Sequence, residues 1–148
     1  MTEAGRSGRV AVVTGGGAGI GEAICLRLAR EAAVAVWDLD GEAASRTAAA
    51  IAAAGGSASA FSADVGAVAS IEQAMAATRD RLGAPEILVN CAGIRDDAGV
   101  VEHSLESWRR VLAVNLDGCY FCSREFALTA PEGGAIVNIA SINGLLGG

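Results

Sequence analysis

Val10-Ala11-Val12-Val13-Thr14-Gly15-Gly16-Gly17-Ala18-Gly19-Ile20-Gly21 is the stretch on which the reading of the fold turns. A short β-branched run meets a cluster of glycines, the pattern of a fully buried strand stopped by a breaker. Ile20, Ile24 and Leu28 then recur one helical turn apart, with Ala23 beside them. They make one apolar helix face that runs to about Arg30. A buried strand, a glycine turn and a helix in immediate succession open an α/β unit.

Outward from this stretch the same alternation repeats. Val34-Ala35-Val36-Trp37 reads as a second strand, ending at Asp38. Gly41 to Ala54 is almost all alanine, with Glu42 and Arg46, a strong helix by propensity. Gly55-Gly56 stops it, as glycine past a helix end does. Ser57 to Ser62 is a weaker third strand. Val68, Ile71, Met75 and Leu82 carry helical spacing, ended by Gly83 and Pro85. Ile87-Leu88-Val89 is a fourth strand running into Asn90-Cys91-Ala92-Gly93. A polar loop, Arg95 to Glu102, leads to a long helix from about Leu105, and Ala135 to Ala140 is a fifth strand ending at Ser141. Alternation of this kind means a parallel sheet with helices on both faces. Right-handed crossovers restrict the topology. The expected fold is α/β, a Rossmann-type doubly wound parallel sheet of strand order 3-2-1-4-5. No repeat or linker divides the chain, so residues 1–148 are expected to form one domain.

Composition agrees and excludes several classes. Hydrophobic residues make up 52% and charged residues 19%, which rules out disorder. Aromatics are 4% and roughly a fifth of the chain is alanine, so the core is Ala, Val, Ile and Leu with helices lying close on the sheet. Eleven Arg and no Lys against 17 acidic residues give a net charge of −6, the opposite of a nucleic-acid binder's balance. No apolar run approaches the ~18 residues of a membrane span. Met1 to Gly8 is polar and does not read as a signal peptide. Cys25, Cys91, Cys119 and Cys122 lie in apolar segments and are expected as reduced thiols of a cytoplasmic protein.

A glycine turn between strand and helix has a physical use. It lets the backbone approach a diphosphate while the helix N-terminus offers free N–H groups and a positive dipole end. Here the spacing is Gly15-x-x-x-Gly19-x-Gly21, and the bland alternative is a tight turn without a ligand. Asp38, at the end of the second strand, stands where a carboxylate would accept hydrogen bonds from an adenosine ribose. It would repel a phosphate there, and a basic partner is absent, so NAD is expected over NADP. Asp40 is the runner-up for this role.

These residues together resemble a family. Thr14-Gly15-Gly16-Gly17-Ala18-Gly19-Ile20-Gly21 is similar to the T-G-x-x-x-G-I-G signature of classical short-chain dehydrogenases/reductases. Asp64-Val65 resembles the pair that contacts adenine, and Asn90-Cys91-Ala92-Gly93 the N-N-A-G element beside the cofactor, with Cys91 replacing an Asn. Val114-Asn115 is similar to the family's active-site Asn position, and Ile136-Val137-Asn138-Ile139-Ala140-Ser141 to the strand carrying its catalytic Ser. Within the family, Ala92-Gly93-Ile94-Arg95-Asp96 looks most like 3-oxoacyl-carrier-protein reductases. The resemblance implies an NAD(P)-binding domain with Thr14, Gly15, Gly17, Gly19, Ile20, Gly21, Asp38, Asp64, Val65, Asn90, Ala92 and Gly93 at the cofactor. It implies Ser141 and Asn115 as catalytic residues, no metal, and reversible hydride transfer between a nicotinamide and a small carbonyl or alcohol. It leaves room for a homo-oligomer in a full-length form.

The family's remaining catalytic pair, a Tyr-x-x-x-Lys a little past the Ser, has no counterpart. The chain has no Lys, and its one Tyr is Tyr120. Tyr120 lies five residues past Asn115, about 140° round a regular helix, and so is expected to pack in the core or against a helix. The chain is therefore expected to be the N-terminal portion of a longer enzyme, with its later strands missing. The alternative is a non-catalytic dinucleotide-binding or interaction module. A methyltransferase would share the glycine turn and the acidic second-strand end, but would leave Asn90-Cys91-Ala92-Gly93 and Ser141 unexplained. Cys119-x-x-Cys122 reads as small packing residues, since zinc wants four ligands. His103 reads as a loop residue before Ser104, a candidate N-cap, and Asp96-Asp97 as a solvated turn. Ser107 and Ser123 have no triad partners.

Overall fold

The computed structural model describes residues 8–130, 133–142 and 144. Five strands alternate with helices: β1 (Val10–Thr14), α1 (Gly19–Leu28), β2 (Ala33–Asp38), α2 (Gly41–Ala53), β3 (Ala58–Ser62), α3 (Val68–Leu82) and β4 (Ile87–Asn90). Then come α4 (Leu105–Leu112), a π-helical segment (Ala113–Gly118), α5 (Cys119–Thr129) and β5 (Ala135–Asn138). The sheet is parallel throughout, in the order β3-β2-β1-β4-β5, as the alternation of strands and helices predicts.

Successive residues of a strand point to opposite faces, and this separates two cores. Val12, Ala35, Trp37 and Leu88 face α3 and α5, meeting Ile71, Met75, Cys122 and Phe126. Val13, Val34, Val36 and Val89 face α1 and α2, meeting Cys25, Ala44 and Ile51. The small helix residues bring those helices close to the sheet. Trp37 is the largest fully buried side chain, and its indole N–H donates to Thr78 Oγ1 at 2.9 Å, so its polar end is satisfied.

Two expectations need correction. β5 ends at Asn138 rather than Ala140. The Ile139 N–H donates to the Asn90 carbonyl, where β4 itself ends, so the ladder has no further partner. The long helix is not regular: six residues around Asn115 are wound as a π-helix. Apolar periodicity shows an amphipathic helix but not a local change of winding. Among the described residues no helix is long and apolar enough to cross a membrane.

Candidate functional site

A crevice of about 370 Å³ lies across the carboxyl ends of the strands. The chain runs from β1 outward through β2 and β3, then returns to add β4 on the other side of β1. That reversal leaves a gap between the loops above the sheet, the place where doubly wound sheets bind ligands. Its lining draws Gly15, Ile20 and Gly21 from the first turn, Asp38 from the end of β2, Asp64 and Val65 from the end of β3, and Ala92 and Gly93 from the end of β4.

Backbone geometry explains the glycines at two positions. Gly15 has φ of 66°, and a Cβ there would stand 2.9 Å from the Ala92 Cα. A Cβ on Gly21 would run into the Gly15 carbonyl. Gly15 must therefore stay bare for the β1 and β4 loops to close on one another, and Gly21 for α1 to pack against the turn that precedes it. Thr14 holds that closure, its Oγ1 accepting the N–H groups of Cys91 and Ala92 at 3.1 Å each. At the start of α1, Ala18 supplies no side-chain cap. The first N–H groups of that helix consequently have no side-chain acceptor, the arrangement that suits an anion.

The two acidic candidates after β2 separate cleanly. Asp40 caps α2, its Oδ1 accepting from Glu42 and Ala43 N–H at 3.0 Å each. Asp38 lines the crevice, its Oδ2 accepting from Gly17 N–H at 2.9 Å and its Oδ1 from Asp40 N–H at 3.0 Å. These bonds fix the carboxylate at the mouth of the glycine turn. Asp64 is held in its own tight turn, with Oδ1 accepting from Gly66 N–H at 2.9 Å.

On the far side of the crevice the π-helical segment carries Asn115. Its amide grips the backbone of Ile94, accepting from the N–H at 2.9 Å and donating to the carbonyl at 2.8 Å. Asn115 thus anchors the chain just past Gly93 against the helix.

A profile of the family described as short chain dehydrogenase matches residues 9–148. The chain belongs to that family. Meso-2,3-butanediol dehydrogenase of Serratia marcescens is 39% identical over 142 residues, which are 94% of this chain and 55% of that protein. Among solved structures, a dehydrogenase/reductase from Sinorhizobium meliloti superposes with a TM-score of 0.91 at 38% identity, covering 96% of this chain and 57% of that one. A short-chain dehydrogenase from Burkholderia cenocepacia in complex with NADP gives 0.90 at 34% identity, covering 95% and 58%. The chain spans about half the length of the relatives it matches.

In this short-chain dehydrogenase chain the crevice gathers eight of the expected residues: Gly15, Ile20, Gly21, Asp38, Asp64, Val65, Ala92 and Gly93. Thr14, Asn90 and Asn115 lie behind its wall, around a second, smaller cavity. Gly17 takes part through its N–H to Asp38. Gly19 carries a φ of 54° at the first position of α1. Ser141 lies three residues past β5 and is exposed; it is not among the residues lining the crevice. The sequence reading missed Arg110 and quoted Val114 only as the neighbour of Asn115; both line the crevice from the long helix. Their spacing carries no signal of this, because the winding changes from α to π between them.

Tyr120 does not pack in the core: it is 63% exposed, edge-on to Phe121. The angle expected for a regular helix does not apply across the π-helical segment, but Tyr120 lines neither cavity. Cys122 is a buried packing residue, and burial pushes its thiol up to about 12. Burial pushes Cys25 up to about 12 as well, with Cys91 nearby adding to the effect. Ser104 caps α4, accepting from Ser107 N–H at 3.0 Å. Asp96 accepts hydrogen bonds from the Ser107 hydroxyl and the Ala98 N–H, and these, the hydroxyl first, hold it below the ordinary aspartate range. His103 Nε2 is 3.2 Å from the same carboxylate.

Proposed function

We propose that residues 1–148 are the NAD-binding domain of an oxidoreductase that transfers hydride between nicotinamide and a carbonyl or alcohol, as the N-terminal portion of a longer enzyme. One observation carries the reading. The crevice brings a bare glycine turn, an uncapped helix N-terminus and a backbone-fixed carboxylate to one place. The site fits the cofactor: the turn carries no side chain at Gly15 or Gly21, where a Cβ would strike the Ala92 backbone and the Gly15 carbonyl, and the helix N-terminus it leads into has no side-chain cap.

The nicotinamide supplies the hydride chemistry. The chain's own residues bind and orient. N–H groups at the start of α1 receive the diphosphate, and Asp38 accepts the adenosine ribose hydroxyls. Asp64 and Val65 flank the adenine, and Ala92 and Gly93 form the wall toward the reacting end. Thr14 and Asn115 position that wall by holding the backbone at residues 91, 92 and 94. Ser141 would hydrogen-bond the substrate oxygen as charge develops on it. NAD is preferred because Asp38 would face the 2′-phosphate of NADP. The relative solved with NADP shows that other members take that cofactor, so the preference rests on Asp38 alone.

Fluorescence titration with NADH and NADPH tests the reading, with Trp37 and Trp108 as reporters. Saturable NADH binding, tighter than NADPH binding, is expected. Binding of neither ends the cofactor reading, and tighter NADPH binding ends the argument from Asp38. The second reading, a dinucleotide-binding module without catalysis, draws on the missing Lys and on Tyr120 lying outside the crevice. It shares the binding result and parts from the first on turnover. The 148 residues alone are expected to oxidise or reduce no simple alcohol or ketone at an enzyme-like rate, for want of a positioned acid/base worth roughly 10²–10⁴ in rate.

A further inference from the structure

Thr14, Asn90 and Asn138 form a polar row across the carboxyl ends of three strands. Thr14 is the register partner of Asn90, and Asn90 that of Asn138. Neighbours in register point to the same face of the sheet, here the face covered by α5. Asn90 is only 6% exposed. Its Nδ2 donates to Asn138 Oδ1 at 2.8 Å and Ser123 Oγ at 3.0 Å, and lies 3.5 Å from the Cys119 carbonyl. A carbonyl can only accept, so the amide group must present its nitrogen on that side and its oxygen on the other. That buried oxygen, Asn90 Oδ1, accepts no hydrogen bond from any described residue.

Thr14 has the complementary need. A hydroxyl has two acceptor sites and one donor. Both acceptor sites of Thr14 Oγ1 are taken by the N–H groups of Cys91 and Ala92. Its proton is left to give. Thr14 and Asn90 both line a cavity of about 40 Å³, more than the roughly 10–15 Å³ that one water requires. Gly118, on the facing helix, also lines it, and a Cβ there would stand 2.7 Å from the Val65 carbonyl oxygen.

We infer that this cavity is a binding site for a resident water molecule, which accepts from the Thr14 hydroxyl and donates to Asn90 Oδ1. Val65 lines the same cavity, with its carbonyl oxygen beside Gly118. A structural water ordinarily makes about two to four polar contacts. The water would join two clamps. Thr14 holds the Cys91–Ala92 turn at the wall of the large crevice, while Asn90 holds β5 through Asn138. This inference does not rest on the dinucleotide reading and survives if no nucleotide binds.

Two measurements on the full chain test it, with water itself as the probe. Water–protein NOE spectroscopy should give a cross-peak of long-residence sign between water and the Ala92 methyl, whose residue lines the cavity. Its absence in the folded wild-type chain overturns the inference. Oxygen-17 relaxation dispersion, which counts long-lived waters without interference from exchanging hydroxyl protons, should show one fewer such water in folded Thr14→Val. An unchanged count in that variant also overturns it. Should the variant fail to fold, the wild-type cross-peak decides the matter.

Discussion

β1 and β5 are apolar strands of one parallel sheet, yet their surroundings are opposite. All five residues of β1 are buried, and all four of β5 are exposed. β1 has helices on both faces, because α1 and α2 lie on one side and α3 and α5 on the other. α5 reaches β4 and the sheet's covered centre. α4, which precedes it, buries no residue at all. β1 is also the central strand and β5 an edge in the order β3-β2-β1-β4-β5, so burial here follows both sheet position and helix cover. The comparison bears on function, because the glycine turn and Asp38 belong to the covered side while Ser141 follows the bare strand.

The largest effect expected is on stability. Leu88 and Ile136 are register neighbours on β4 and β5, so they share a face, but one is fully buried and the other 42% exposed. Leu88→Ala is expected to cost about 2–5 kcal/mol. Ile136→Ala should cost under about 1 kcal/mol. Urea unfolding of both variants checks this, and equal costs would break the contrast between the strands.

Gly15→Ala comes next. The positive φ and the Cβ contact with the Ala92 backbone together should cost roughly 2–3 kcal/mol. NADH binding should be lost even under conditions where the variant is folded, as fluorescence titration would read. Retained affinity would mean that the close approach of the two loops is not what shapes the crevice.

Asp38→Asn keeps the shape and removes the charge. NADH affinity should fall about tenfold, near 1.4 kcal/mol, and the ratio of NADPH to NADH affinity should rise. An unchanged ratio would show that the carboxylate does not read the ribose.

The smallest effect is a pH dependence on the exposed side. Asp96 is held below its ordinary range, chiefly by the Ser107 hydroxyl. A carboxylate whose native pKa is depressed adds stability above its unfolded pKa and loses it as pH falls through the native one. Ser107→Ala should therefore destabilise at neutral pH, and its gap from wild type should close in strong acid. Thermal melts across the acid range would show whether the gap instead stays constant.

Much of this was legible in the sequence. The run Val10 to Gly21, the strand end at Asp38 and the alternation that follows led to the correct strand order, because side-chain periodicity and turn chemistry are local properties. The same logic found the cap at Ser104 and the packing role of Cys122. It failed where the outcome depended on what another segment was doing. β5 is shorter than its apolar run because β4 turns away at Asn90. Tyr120 is exposed, and the winding between it and Asn115 is not that of a regular helix.

The chain's order of residues by itself determined a doubly wound sheet with a bare glycine turn between its first strand and helix, since burial patterns, glycine placement and propensity act over a few residues. Only the tertiary structure decided which aspartate faces the crevice, that Arg110 reaches it, and that Asn115 spends its side chain on the Ile94 backbone. Those outcomes depend on groups far apart in the chain meeting across packed elements. Side-chain spacing carries no record of such distances.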